Sequence, residues 1–307
     1  MTALHEHLTE YLQLRRRLGF KVRVQGLLLG QFVRFAAAQK ATVISNSLVL
    51  RWITESASMQ AERLSAVRQF AQYVRCLDTR TEIPQRGLFP DHFRRPNPYI
   101  YRDEEVLKLL QAARKIPSPK GLNGATLSTL FGLLAVTGMR VGEAIGLERA
   151  DVDFNQSLIT IHRAKGNRSR LVPLHPSTQR VLKSYADLRD RACSRPSSPI
   201  FFTSEEGNRL HYCTVNYWFV QLCQQLGVHG ANGRRVPRLH ELRHRFAIKT
   251  LIAWYNSKTN TEAHLPELAT YLGHLHVRDT YWYLSAAPEL LQLAVERMQS
   301  IKGEFYA

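Results

Sequence analysis

A chain of 307 residues with 44% hydrophobic content is ample for one large domain plus a smaller one, and it reads as globular rather than disordered. Forty-two Lys and Arg against 25 Asp and Glu leave a formal charge of +17, a field that favours a polyanion and has no evident use in a general protease. The longest apolar stretch, around residues 127–137, is far too short to span a bilayer, and the polar first ten residues carry no secretory signal, so nucleic acid rather than a membrane is the expected partner.

Split at Pro98, the chain has 15 basic and 7 acidic residues before it and 27 and 18 after it. Both parts are basic, at +8 and +9, and both are expected to face the same partner. Cys76, Cys193, Cys213 and Cys223 form no Cys-x-x-Cys pair, which points to reduced thiols in a cytoplasmic setting and not to a structural zinc site. In chain order, Leu4, Leu8, Tyr11 and Leu12 recur at helical spacing, and residues 28–38, 48–56 and 61–77 are further amphipathic stretches. Four helices predict a small N-terminal bundle over residues 1–80. Pro84, Pro90, Pro96 and Pro98 then forbid regular helix while Arg86, Arg94 and Arg95 supply charge, so residues 81–98 read as a basic linker. The rest, 99–307, opens with a helix over 103–115 whose first turn is acidic, as the helix dipole favours.

Residues 126–136 predict an apolar helix stopped by Thr137-Gly138, after which Arg140 opens a second helix running through Leu147. Arg140 is thereby placed at a helix N-terminus beside backbone amides, with Glu143 one turn on to hold its guanidinium. Residues 157–162 and 170–174 are β-branched, apolar runs on either side of a Gly-Asn turn signal, a β-hairpin with Lys165 at its tip. Helices follow around 177–193 and 215–226, with a short apolar stretch at 200–203 between them; no chemistry is read there.

The densest signal is His240-Glu-Leu-Arg-His244. One interpretation is the H-E-x-x-H zinc peptidase pattern, in which two histidines one turn apart bind the metal and the glutamate acts as base. Its extended form would need Gly at Ala247 and His at Thr250, and Glu262 and Glu267 offer a third ligand only across a polar insertion. The other takes His240 and Arg243, three apart on one helix face, as a phosphate-gripping pair and leaves His244 and Phe246 structural. Beyond lie a helix over 268–274 ended by Gly273, then His274, Tyr281 and Tyr283. Taken singly, each residue has a plain reading: a solvated arginine, a solubilising hairpin lysine, a tyrosine packed in a core.

Taken together, Thr137-Gly-Met-Arg-Val-Gly-Glu-Ala with Leu147, Lys165-Gly-Asn-Arg-Ser-Arg-Leu-Val-Pro-Leu, His240-Glu-Leu-Arg-His, Leu272-Gly-His and Tyr283, nine residues after His274, resemble the tyrosine recombinase, or phage integrase, family. The likeness spans about residues 103–284. It implies a mainly α fold with a small β-sheet or hairpin: an N-terminal helical core-binding domain and a mixed α/β catalytic domain, forming a two-domain clamp on duplex DNA. It implies that Arg140, Lys165, His240, Arg243, His274 and Tyr283 are catalytic, with Glu143 supporting, and that neither metal nor cofactor is used. Tyr283 would attack the phosphodiester, since the family spacing selects it over Tyr281. Arg140 and Arg243 would stabilise the pentavalent transition state, and His240 and His274 would add donors. His240 would take the phenol proton and Lys165 would protonate the 5′ oxygen, leaving a 3′-phosphotyrosine that a 5′ hydroxyl re-attacks without ATP.

Two departures from the family pattern stand out: Arg245 where a small hydroxyl residue is common, and a longer span from Arg243 to His274, with a polar insertion near 254–264. No arm-type DNA-binding domain is expected ahead of the first helix. A tail helix over 288–300, with Leu290, Leu291, Ala294 and Met298 near one face, is expected to dock on a neighbouring protomer and build a tetramer on paired double-stranded DNA sites, packing in cis being the alternative. Other recombinases of the same element are conceivable partners. The final motif most resembles recombinases of bacterial mobile elements, implying integration, excision or transposition by a cytoplasmic, nucleoid-associated protein. The alternative from another class is a regulator that keeps the fold and binds DNA without catalysis.

Overall fold

A computed structural model describes residues 3–56, 58–89, 98–162, 169–193, 199–230, 236–257, 260–293 and 295–296. The chain divides into two compact units, Met1–Pro96 and Asn97–Ala307. The first contains helices α1 (Ala3–Arg17), α2 (Arg23–Ala38), α3 (Asn46–Thr54) and α4 (Gln60–Arg75). Their apolar stripes meet in one core, where Leu4, Leu8 and Tyr11 of α1 join Leu29, Phe32 and Val33 of α2, Trp52 and Ile53 of α3, and Val67 and Phe70 of α4. Ser45 starts α3 by accepting the Leu48 amide, and the Arg63 guanidinium lies 4.9 Å from the Trp52 ring centre. The segment expected to begin the linker is instead bonded into this unit. Thr81 is buried, Glu82 N donates to Ile44 O at 2.8 Å, and Arg68 donates to the Pro84 carbonyl. Prolines remove helix here, but they leave backbone groups that the bundle still satisfies.

The second unit is built around α6 (Leu122–Thr137), which packs against α5 (Asp103–Arg114), α8 (Pro176–Ala192) and α10 (Glu241–Asn256). Being covered on several sides, α6 has buried residues all round it, including Leu127, Leu130, Phe131 and Leu134. The short α7 (Val141–Ile145) and a 3-10 turn (Arg149–Asp151) lead into a three-stranded antiparallel sheet in the order β1 (Val152–Asp153), β2 (Leu158–Ile161), β3 (Arg170–Pro173). The expected hairpin corresponds to β2 and β3, paired with Ile159 opposite Val172; the two-residue β1 was too short to leave a periodic signature. Helix α9 (Tyr212–Gln225) adds Phe219 to the same core.

A second core joins α10 to α11 (Thr261–Leu272) and α12 (Arg278–Ala286) through Ile248, Leu251, Leu265, Leu268, Leu272 and Tyr283. The expected polar insertion is absorbed into the end of α10 and the start of α11, where Asn260 caps by accepting the Ala263 amide. Arg245, the odd residue after the Leu-Arg-His run, has a structural use: it donates to Tyr101 O at 2.9 Å and pairs with Asp103, which Lys249 also reaches at 2.6 Å. These bonds fasten α10 to the entrance of α5. The tail helix is described only as far as residue 296, and its expected face is divided. Leu290 is buried in its own chain's core, Leu291 is exposed, and Met298 lies outside the described residues.

Candidate functional site

Two helix ends supply the frame. Helix α6 stops at Gly138, which takes φ +61 and whose added Cβ would lie 2.6 Å from Phe246; α11 stops at Gly273, with φ +68. Left-handed glycine caps turn the chain sharply and leave the last carbonyls of each helix facing outwards, at the negative end of its dipole. Arginines take those carbonyls. Arg243, only 2% exposed on α10, donates to Gly138 O at 2.8 Å and to Leu272 O at 2.7 Å, while Arg140 donates to Gly273 O at 2.7 Å. Burial, with the nearby Arg140 charge, lowers the Arg243 pKa to about 10, so it stays charged at neutral pH.

Arg140 is the N-cap residue of α7, and Glu143 in the first turn accepts its backbone amide at 2.9 Å and its guanidinium at 2.7 Å. The same carboxylate is gripped by both terminal nitrogens of Arg170, at 3.0 and 2.7 Å, and Arg170 Nε donates to Tyr271 O at 2.8 Å. Burial alone would raise the Glu143 pKa, but the hydrogen bonds from Arg170 and Arg140 prevail and hold it at about 2. Two guanidinium groups thus close on one carboxylate, with the charge of Arg243 nearby. The excess positive charge, partly withdrawn from water, forms a site for an anion.

Arg170 carries no role in the sequence-based reading, although a signal was present. On β3 it shares a side with buried Val172, whereas apolar Leu171 is exposed. A charged residue on the inward register of a strand calls for a buried partner, and Glu143 is that partner.

Beside the arginines lies an aromatic and histidine pocket. His240 is the N-cap of α10. Desolvation and then the charges of Arg243, Arg238 and Arg140 lower its pKa to about 4. His240 and His244 meet edge to face at 4.7 Å. Among the described residues, no three His, Cys, Asp or Glu side chains converge as metal ligands, and the H-E-x-x-H pair gathers no third ligand from them.

His274, just after the Gly273 cap, is oriented by a 2.7 Å contact between Nδ1 and Thr280 Oγ1, and its ring stacks on Tyr283 at 6.1 Å. Tyr283 on α12 is 2% exposed, and its hydroxyl lies 3.2 Å from His244 Nδ1. The hydroxyl is therefore buried without being sealed in an apolar interior. Tyr281 faces outwards and is half exposed. Arg140, Glu143, His240, Arg243, His274 and Tyr283 converge on one region of the second unit, and Arg170, His244 and Thr280 join them; Lys165 lies outside the described residues.

A profile of the phage integrase family matches residues 100–289. The chain is 42% identical to a Sinorhizobium fredii protein that carries the name integrase/recombinase y4rB, over 97% of this chain and 98% of that one. It is 29% identical to the tyrosine recombinase XerD of Caulobacter vibrioides, over 78% of this chain and 75% of that one. Among solved structures it resembles the XerH site-specific recombinase bound to palindromic difH substrate, with TM-score 0.67, 19% identity and 91% and 80% of the two chains covered. It also resembles the Tn1549 transposon integrase in complex with transposon right-end DNA, with TM-score 0.66, 15% identity and 98% and 100% covered.

Proposed function

We propose, from the premise that the chain belongs to the phage integrase family and is a tyrosine-type site-specific recombinase, that it cleaves and rejoins DNA strands through a 3′-phosphotyrosine formed on Tyr283. The observation that carries this reading is the pair Arg140 and Arg170 on the Glu143 carboxylate, with Arg243 held beside them by helix-end carbonyls, in the same region as the Tyr283 hydroxyl.

The chemistry follows from what each group offers. Non-bridging phosphate oxygens suit the planar donors of Arg140 and Arg243, and these strengthen as charge builds in the pentavalent transition state. Their carbonyl and carboxylate partners hold the guanidinium groups in place beforehand, so little reorganisation is needed at the reacting moment. His240 and His274 donate to the same oxygens, and Lys165 supplies the proton that the departing 5′ oxygen needs. The phosphotyrosine conserves the bond energy, and a 5′ hydroxyl reverses the step to rejoin a strand without nucleotide or metal.

The first unit acts as a core-binding domain, supported by its basic balance of residues. The protein serves a mobile element, in integration, excision or transposition, and assembles as a tetramer on double-stranded recombination sites. Similarity to a protein named integrase/recombinase and to a transposon integrase supports that role. The test uses nicked suicide duplexes tiled across the DNA flanking the gene for this chain. Wild type should form a covalent protein–DNA complex and Tyr283→Phe none; an equal yield from the mutant refutes the nucleophile, and no complex on any duplex refutes the reaction.

A further inference from the structure

We propose that His244 is a catalytic residue of this strand-cleavage reaction: it takes the Tyr283 proton as the phosphate is attacked, with Glu241 as the positioning residue that holds its ring. The proposal rests on Tyr283 being the nucleophile. The family pattern points to His240 for the proton, whereas the geometry points one helical turn along.

Three observations converge on it. First, His244 Nδ1 is 3.2 Å from the Tyr283 hydroxyl, within reach for direct transfer. The His240 ring meets that of His244 at 4.7 Å, and the arginine charges around it oppose gaining a further positive charge. Secondly, His244 Nε2 lies 3.9 Å from Glu241 Oε2, on the far side of the ring from the tyrosine. A carboxylate there favours the tautomer with hydrogen on Nε2, leaving the Nδ1 lone pair for the phenol, and it stabilises the imidazolium that forms. Thirdly, Glu241 is only 4% exposed. Its Oε1 takes the Arg238 guanidinium at 2.9 Å, whereas its Oε2 is buried and, among the described residues, accepts no hydrogen bond within 3.5 Å. Burial of this carboxylate raises the Glu241 pKa while Arg238 lowers it, and a proton on His244 would offset the cost of its charge.

The surrounding rings fix the arrangement. Trp282 stands edge-on to His244 at 5.1 Å and to Tyr283 at 5.3 Å, so neither ring turns away without disturbing the packing of α12. The step balances as follows. The Tyr283 oxygen forms the new bond to phosphorus as the bond to the 5′ oxygen breaks, the phenol proton passes to His244 Nδ1, and the leaving oxygen takes its proton from Lys165. On rejoining, the attacking 5′ hydroxyl gives its proton back to Lys165 as its oxygen bonds to phosphorus, the phosphorus–tyrosine bond breaks, and His244 returns its proton to the tyrosine oxygen, so the enzyme is restored.

The test measures the rate of covalent complex formation on the nicked duplex used above. His244→Asn keeps an acceptor near the Nδ1 position but cannot take up the proton, and it should slow cleavage on the order of 100-fold, as general-base loss does. Glu241→Gln should slow it by roughly 10-fold without weakening DNA binding. Replacing Tyr283 by 3,5-difluorotyrosine, a far more acidic phenol, should bring both variants back to within about 10-fold of the wild type, because an ionised nucleophile needs no base. A 5′-bridging phosphorothiolate, whose sulfur leaves unprotonated, should rescue Lys165→Ala and not His244→Asn. A His244→Asn protein that cleaves at the wild-type rate, or whose defect fluorotyrosine leaves untouched, overturns the proposal while Tyr283→Phe still reports on the nucleophile independently.

Discussion

The arginine cluster and the tyrosine pocket share α10 and the end of α11, yet they are held by different means. Arg140 and Arg243 are bonded to backbone carbonyls at the ends of α6 and α11, and Arg140 and Arg170 close on one carboxylate. Tyr283, His244 and His274 are placed by ring packing, with side-chain contacts between His244 and Tyr283 and between Thr280 and His274 among those that orient them. Backbone carbonyls move only if a helix moves, whereas a side-chain contact breaks with one rotamer change. The arginine half is thus prebuilt by backbone positions, whereas the tyrosine half is held by the packing of its rings.

The contrast predicts that substitutions of the groups that support Arg140 and Arg243 register in stability, and those in the tyrosine half mainly in rate. The largest loss should come from Glu143→Gln, which removes the counter-charge from two guanidinium groups. Breaking such a pair from one side costs about 3–5 kcal/mol, read by urea denaturation. The same carboxylate gives the fold an acid limit. Its pKa is depressed on folding, so its contribution is complete above the ordinary value of 4.5 and is lost as pH falls towards about 2. Some 3 kcal/mol should disappear across that interval in the wild type and much less in Glu143→Gln. A variant with the wild-type acid profile would show that another group holds the arginines.

Gly138→Ala comes next. Positive φ and a Cβ placed 2.6 Å from Phe246 should together cost about 2–3 kcal/mol and disturb the carbonyl that Arg243 uses. Thermal unfolding would detect it, and an unchanged midpoint would mean that the α6 cap is not under steric control. Arg170→Lys keeps the charge but gives up the two-pronged grip on Glu143 and the bond to Tyr271 O, for about 1–2 kcal/mol. Smallest in stability is Thr280→Val, at about 1 kcal/mol or less. It should nonetheless slow covalent-complex formation by roughly 10-fold, because His274 loses the contact that aims it. If Thr280→Val destabilises the protein more than Glu143→Gln, the contrast between the two halves fails.

Much of the second unit was legible because its elements announce themselves locally. The Thr137-Gly138 stop, the Gly273 cap and the alternation around β2 are short-range signals of backbone conformation, and the structure has an element boundary or strand at each. The helices of the first unit were legible from apolar spacing alone, while the docking of residues 81–84 was hidden, since prolines reveal the absence of helix and say nothing about where a chain packs. Arg245 looked like a departure because its partner, Asp103, lies 142 residues away in sequence.

Spacing along the chain also brought together the family motifs and, through them, which residue types gather at the site. What only the tertiary structure decided was how they are wired: Arg170 to Glu143, Arg243 to two helix-end carbonyls, His244 to Tyr283 with Glu241 behind it. Residue type and helical period follow from local chemistry and survive in a linear string. A hydrogen bond between residues dozens of positions apart depends on how whole helices pack, and its direction is set only when both partners have left water for the same buried space.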